Sequence, residues 1–178
     1  MSASNLRPYR PSPARPSSGP PALDPERVER VLFLCSGNIM RSAFAELWAR
    51  HRGFPRPVES AASTYRNDRI HPATARELVG LGVEPSAIRR FAPRHLDLAA
   101  AALSPSERAA TLVLGMTGEH VACAASTFPA AQCLLLESLA GPAMDVPDPI
   151  DHPDPRPVFD RIARLVDLWG RWLGASAP

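Results

Sequence analysis

Apolar residues along this chain follow two alternating spacings. Val31 to Leu34 form a short unbroken apolar run, the pattern of a strand covered on both faces. Phe44, Leu47 and Trp48 then recur at helical spacing. "RPVESAAS" predicts a second strand, and "PATARELVGLGV" a helix that closes near Gly82. "ATLVLGM" predicts a third strand with a helix from about Thr117, and "QCLLLES" a fourth strand. Val158, Phe159, Ile162, Leu165, Val166, Trp169 and Trp172 mark the apolar face of a long final helix. Aromatic residues at this spacing belong to a core rather than to a cofactor box. Strands alternating with helices predict an α/β sandwich around a parallel sheet.

Composition narrows this picture. The chain has 178 residues, enough for one domain with a sizeable core. Residues 1–23, "MSASNLRPYRPSPARPSSGPPAL", are rich in Pro, Ser and Arg and contain no acidic residue. Such a segment buries too little apolar surface to offset its ordering entropy, so it reads as a disordered basic tail. Docking of a partner through its proline segments stays open. The domain is expected over 24–178. A net charge of +2 gives no support for nucleic-acid binding. Every basic side chain is arginine, which reads as codon bias more readily than as a phosphate-reading surface. The three cysteines, Cys35, Cys123 and Cys133, form no C-x-x-C pair, which argues for a reducing compartment. With no apolar stretch near the N-terminus, neither a signal peptide nor a membrane anchor is expected, and the protein is expected in the cytoplasm. The five histidines are dispersed without H-E-x-x-H and read as surface or core residues, so no metal site and no cofactor are expected.

The chemistry concentrates in "VLFLCSGNIMRSAFAELW", residues 31–48. In parallel sheets, ligands sit beyond the carboxyl ends of the strands, and Cys35 lies at that end of the first one. A helix starting near Arg41 or Ser42 turns its unpaired N–H groups toward the preceding loop, which makes an anion nest. Gly37 and Asn38 are residue types that tolerate tight or left-handed backbone. Arg41 adds a planar two-pronged donor for tetrahedral oxyanions. The same field favours the thiolate of Cys35, its nucleophilic form, and Ser42 can donate a hydrogen bond to that sulfur. Together these groups suit displacement at a bound phosphate-like oxyanion.

At this point a resemblance becomes specific. "VLFLCSGNIMRSAFAE" resembles the signature of the low-molecular-weight protein tyrosine phosphatases, whose loop is typically C-x-G-N-I-C-R-S-P. The likeness continues through "VESAAS", "HLDL", "TLVLGMTGEH" and "VPDP". It implies a three-layer α/β sandwich with a four-stranded parallel sheet flanked by helices. It also implies a phosphocysteine intermediate on Cys35, with Arg41 and the amides of Ser36, Gly37, Asn38, Ile39 and Met40 holding the phosphoryl oxygens. Asn38 would brace the loop and Ser42 would assist the departing thiolate. The implied substrates are phosphotyrosine proteins or small phosphomonoesters.

An alkyl or aryl oxygen leaves poorly unless protonated, so a carboxylic acid is needed. "MDVPDPIDHPDP" offers Asp145, Asp148, Asp151 and Asp154. The family places its acid in a D-P pair before the last helix, which selects Asp148 in "VPDP". The others read as turn residues, Asp154 as a cap of the final helix. Three departures from the family pattern stand out. Met40 replaces a second cysteine that can shield the nucleophile as a disulfide. Ala43 replaces a proline, and Ile150 and Asp151 replace a tyrosine pair. Tyr65 is either a substrate-facing aromatic or a surface residue.

Other functions stay open on the same loop. An arsenate reductase of the thioredoxin-coupled type needs further cysteines near the third strand, where Gly115 and Met116 stand; one using an external thiol reductant needs only Cys35. Phosphoarginine phosphatases of the family tend to carry threonine where this chain has Ile39. A catalytically weak phospho-binding regulatory module is the remaining alternative.

Overall fold

The structure, a computed structural model, describes residues 23–174. Four strands, β1 (Arg30–Cys35), β2 (Val58–Ala62), β3 (Thr111–Gly115) and β4 (Cys133–Leu135), form one parallel sheet in the order β2-β1-β3-β4. Helices α1 (Arg41–His51), α2 (Pro72–Gly80), α3 (Pro85–Arg90) and α7 (Arg156–Gly174) contribute to the core on one face. Helices α4 (Leu96–Ala101) and α6 (Gly118–Ala124) cover the other, while α5 (Pro105–Ala109) buries no residue and leads into β3. The expected four-stranded parallel sheet flanked by helices is the fold observed.

The unbroken apolar run in β1 follows from this layering. Side chains alternate across a strand. Val31, Phe33 and Cys35 join the α1–α7 core, whereas Leu32 and Leu34 join the smaller core under α4 and α6. A strand with a layer on each side has no polar face. Strand β1 also pairs on both edges, Cys35 with Ala62 of β2 and Leu34 with Gly115 of β3. The chain leaves β1 toward β2 and returns on the other side as β3. That reversal of strand order opens a crevice at the carboxyl ends of β1 and β3.

Some boundaries differ from those expected. Strand β4 ends at Leu135, and Leu136–Leu139 form a 3-10 turn instead of prolonging it. Helix α2 stops at Gly80, two residues before Gly82, which takes a left-handed φ of 86°. Helices α3, α4 and α5 were absent from the sequence reading. None exceeds six residues, too short for the apolar period to show. In α7, Leu173 is fully buried while Trp172 is only half-buried. Of the tail expected over 1–23, only Leu23 lies within the described residues, and it packs against the larger core. Among the described residues no helix is long and apolar enough to cross a membrane.

Trp169 is the largest fully buried side chain, and its indole N–H donates to the Leu136 carbonyl at 2.7 Å. Trp169→Ala is expected to lower unfolding free energy by ~3–5 kcal/mol in urea titrations, from lost burial and an emptied cavity. Trp172→Ala, at a half-buried position, is expected to cost less than half of that.

Candidate active site

Strand β1 ends on Cys35, 3% exposed, and the chain turns through residues 36–40 before α1 begins at Arg41. The turn depends on Asn38, the one non-glycine residue with positive φ (53°) among those described. Its conformation aims the backbone N–H of Asn38 at Cys35 Sγ, 3.3 Å away. Among the described residues, no backbone carbonyl accepts from the N–H groups of Gly37, Ile39 or Met40. The first-turn amides of α1 lack intrahelical partners for geometric reasons. The loop that begins at the sulfur therefore carries backbone donors without a carbonyl partner.

A buried polar chain holds this turn. The Asn38 amide donates to Ser42 Oγ (2.9 Å) and to Ser60 Oγ (2.7 Å), while its oxygen accepts from the Arg94 backbone N–H (2.9 Å). Because a backbone N–H can only donate, the orientation of the Asn38 amide is settled. Ser60 in turn donates to Glu46 Oε2 at 2.5 Å, and Arg50 reaches Glu46 Oε1 at 2.6 Å. Burial pushes the Glu46 carboxyl above its ordinary range, opposed by the Ser60 hydrogen bond and the Arg50 charge. Ser42 Oγ, already accepting from Asn38, keeps its own proton for Cys35 Sγ at 3.0 Å or the Ala61 carbonyl at 3.4 Å. A charged sulfur is the stronger acceptor of the two.

The guanidinium of Arg41 is 5% exposed and fixed at two points. NH1 donates to the Val146 carbonyl at 3.1 Å, and NH2 meets Asp148 Oδ2 at 2.6 Å. Asp148 Oδ1 also accepts the Ile150 N–H at 3.3 Å, starting the 3-10 turn Pro149–Asp151. Cys35, Ser36, Gly37, Ile39, Met40, Arg41, Tyr65 and Asp148 therefore line one cavity of about 430 Å³. Arg66, Asn67 and Ile150 complete its wall. Tyr65 and Ile150 stand at the mouth, 63% and 59% exposed. Asn38 and Ser42 lie beneath the loop rather than in the cavity. Asp145 accepts from the Gly118 N–H at 2.9 Å, and Asp154 from the Arg156 N–H at 3.1 Å at the start of α7.

Of the histidines read as surface or core residues, His120 is a buried one that also touches the cysteine loop. His120, on the first turn of α6, is buried, and its Nε2 lies 3.0 Å from Ser36 Oγ. The Thr117 backbone N–H donates to Nδ1 at 3.1 Å, so Nδ1 carries no proton and Nε2–H is the donor to Ser36. Arg41 NH2 also approaches Ser36 Oγ, at 3.5 Å. With two donors on its oxygen, the Ser36 hydroxyl is free to present its own proton to the cavity. Burial, and secondly the Arg41 charge, push the imidazole down to about 4. The T-x-x-H spacing directly after β3, at the edge adjoining β1, was the available sequence signal.

No protein-family model matches this chain, and no curated protein does. Solved structures match over most of its length. The YwlE arginine phosphatase from Geobacillus stearothermophilus superposes with a TM-score of 0.66 at 22% identity, covering 83% of this chain and 94% of that one. A low-molecular-weight protein tyrosine phosphatase from Bacillus subtilis gives 0.65 at 23%, covering 83% and 98%. Vibrio vulnificus Wzb, solved with benzylphosphonate, gives 0.59 at 18%, covering 83% and 99%. The architecture is thus shared with these solved structures over more than four fifths of this chain. More narrowly, this chain has the fold of the low-molecular-weight protein tyrosine phosphatases.

The imidazole of His120 titrates near 6.5 in an unfolded chain and near 4 in the folded one. Between these values the unfolded chain binds the extra proton, so this contribution to stability is present above pH 6.5 and lost as pH falls toward 4. Removing the imidazole with His120→Asn is expected to shrink the loss of unfolding free energy between pH 7 and 4.5 by about 2 kcal/mol, read from urea titrations at each pH.

Proposed function

We propose that this protein hydrolyses phosphotyrosine, or small aryl phosphate, monoesters through a phosphocysteine on Cys35, with Asp148 as general acid and then general base. The observation that carries this reading is the environment of Cys35 Sγ. The sulfur lies 3.3 Å from the Asn38 nitrogen and 3.0 Å from the Ser42 hydroxyl, with Arg41 and Asp148 lining the same cavity.

The chemistry follows from these positions. Loop amides, Arg41 and the free proton of the Ser36 hydroxyl hold the three non-bridging phosphoryl oxygens. The Cys35 thiolate attacks phosphorus in line, and the bond to the ester oxygen breaks. Asp148, released from Arg41 and protonated from solvent, gives that oxygen its proton, and the phenol leaves. Water then attacks the phosphocysteine and gives its proton to Asp148, releasing inorganic phosphate and restoring the thiolate, which the Ser42 hydroxyl stabilises as leaving group. Arg41 NH2 must exchange its Asp148 partner for the substrate, while NH1 keeps Val146.

The cavity wall supports an aryl ester. Tyr65 and Ile150 present apolar surface at the mouth, and Ile39 lines the interior. A cysteine relay from β3 meets a steric obstacle. A Cβ at Gly115 would lie 2.9 Å from Val121 Cγ2 and 3.0 Å from the Val121 nitrogen. Cys35, Cys123 and Cys133 are all free thiols, which suits a reducing compartment such as the cytoplasm.

Phosphate release from a phosphotyrosine peptide, with chelator present, is expected from the wild type and absent from Cys35→Ser. A wild type inactive on the peptide that instead consumes a thiol reductant only with arsenate would replace this reading with reduction. Asp148→Ala is expected to slow turnover ~10²–10⁴-fold for esters with poor leaving groups and far less for those with good ones. Equal losses on both would remove Asp148 from the acid role.

A further inference from the structure

Among the described residues a cavity larger than the one at Cys35 lies along the C-terminal half of α1. It encloses about 600 Å³, between α1 and the segment from Val83 to Arg94. That volume falls in the range typical of small-molecule sites. Leu47, Val83 and Phe91 give it an apolar floor, and Arg50, Arg90 and Arg94 stand around it with Glu46 and Glu84. The arginines outnumber the glutamates by one.

The charges are unequally engaged. Glu46 is 2% exposed, held by Arg50 and Ser60, whereas the Arg50 side chain is 52% exposed. Arg94 reaches Glu59 at 3.3 Å. Arg90 is exposed, and no carboxylate of the described residues lies within ion-pair distance of it. With Arg50 on Glu46 and Arg94 on Glu59, Arg90 is left as the lining cation without an ion-pair partner, and beside the half-exposed Arg50 it can meet a single anionic group on an apolar body.

This cavity also touches the brace of the cysteine loop. Two of its lining residues, Glu46 and Arg94, are joined to Asn38: Glu46 through Ser60, and Arg94 directly through its backbone N–H. The geometry points to a second ligand site, for a planar aromatic monoanion, whose occupancy is coupled to the oxyanion affinity of the cysteine loop. Arg50 and Arg90 would receive the anionic group, and Phe91 with Leu47 the ring. A ligand that draws Arg50 away from Glu46, or moves the Arg94 backbone, changes two of the three attachments that keep Asn38 left-handed. By linkage, an oxyanion in the loop must alter ligand affinity by the same factor.

Binding does not require Cys35 to be catalytic, so the site can be tested apart from the proposed reaction. Amide NMR shifts of the full-length protein, titrated with 2-naphthoate, are expected to saturate at Ala87, Phe91 and Ala92. They should do so both with and without saturating inorganic phosphate. The apparent affinity for phosphate is expected to change about fivefold when the cavity is full. Arg90→Glu, and independently Ala87→Trp, which fills the cavity, are expected to weaken naphthoate at least tenfold with phosphate binding to the free protein unchanged. Shifts confined to residues 35–41, no saturation, or full binding by both variants would overturn the site. Saturation with unchanged phosphate affinity would overturn the coupling.

Discussion

Everything at the carboxyl edge of the sheet depends on keeping one asparagine left-handed. The left-handed region costs an ordinary L-residue about 1–2 kcal/mol, and asparagine is among the few side chains that enter it. At Asn38 the conformation is held from three directions, by Ser42 on α1, Ser60 on β2 and the Arg94 backbone before α4. These attachments convert three separate elements into one mount for the loop. Without the turn, the Asn38 N–H would not face Sγ, and the free amides around it would point elsewhere. The anion nest is a property of the fold as a whole, although its residues are contiguous.

The mount explains an otherwise costly choice, a carboxylate buried at Glu46. Burying a charge is unfavourable unless it is paired and hydrogen-bonded. Here the Ser60 hydroxyl and Arg50 guanidinium satisfy one oxygen each. In exchange, Ser60 has its proton drawn to Glu46, leaving its lone pairs for the Asn38 amide. Each hydroxyl in the chain is thereby given a direction. Ser60 points to Glu46, Ser42 is left to point at sulfur, and on the opposite wall His120 and Arg41 leave the Ser36 proton facing the cavity. Donor direction, more than the number of polar groups, prepares this site for an anion.

What the sequence disclosed and what it concealed divide along contact range. Strand, thiol, turn and helix start are adjacent in the chain, so their apolar run and their residue types could be read together. Strands β1 and β3 were legible because their apolar residues face both cores. The brace was not. Asn38 meets Ser60 22 positions away and Arg94 56 away, and Ser36 meets His120 84 away. Nothing in "VESAAS" marks Ser60 as a link rather than a small strand residue. Glu46 sits in a helical run where a glutamate normally faces solvent. His120 looked like any helical histidine, because its partner is set by the pairing of β1 with β3. Short helices α3 to α5 escaped for a different reason: they begin by local capping, with proline in the first turn of α3 and α5 and a Ser104–Glu107 capping box, rather than by a long apolar face.

Arg41 joins the two halves of the site that the chain holds farthest apart. Val146 and Asp148 reach it across more than one hundred positions, one through NH1 and the other through NH2. Arg41 is the counter-ion of Asp148, which keeps both groups from being left uncompensated at the edge of the cavity. In the proposed reaction the oxyanion would compete for NH2 alone. Because NH1 stays on the Val146 carbonyl, the guanidinium can change partners without losing its place, and the segment carrying Asp148 stays tethered two residues from the carboxylate that is released. In the proposed reaction a single side chain would bind the anion and keep Asp148 beside it, so that substrate capture and acid placement become the same event.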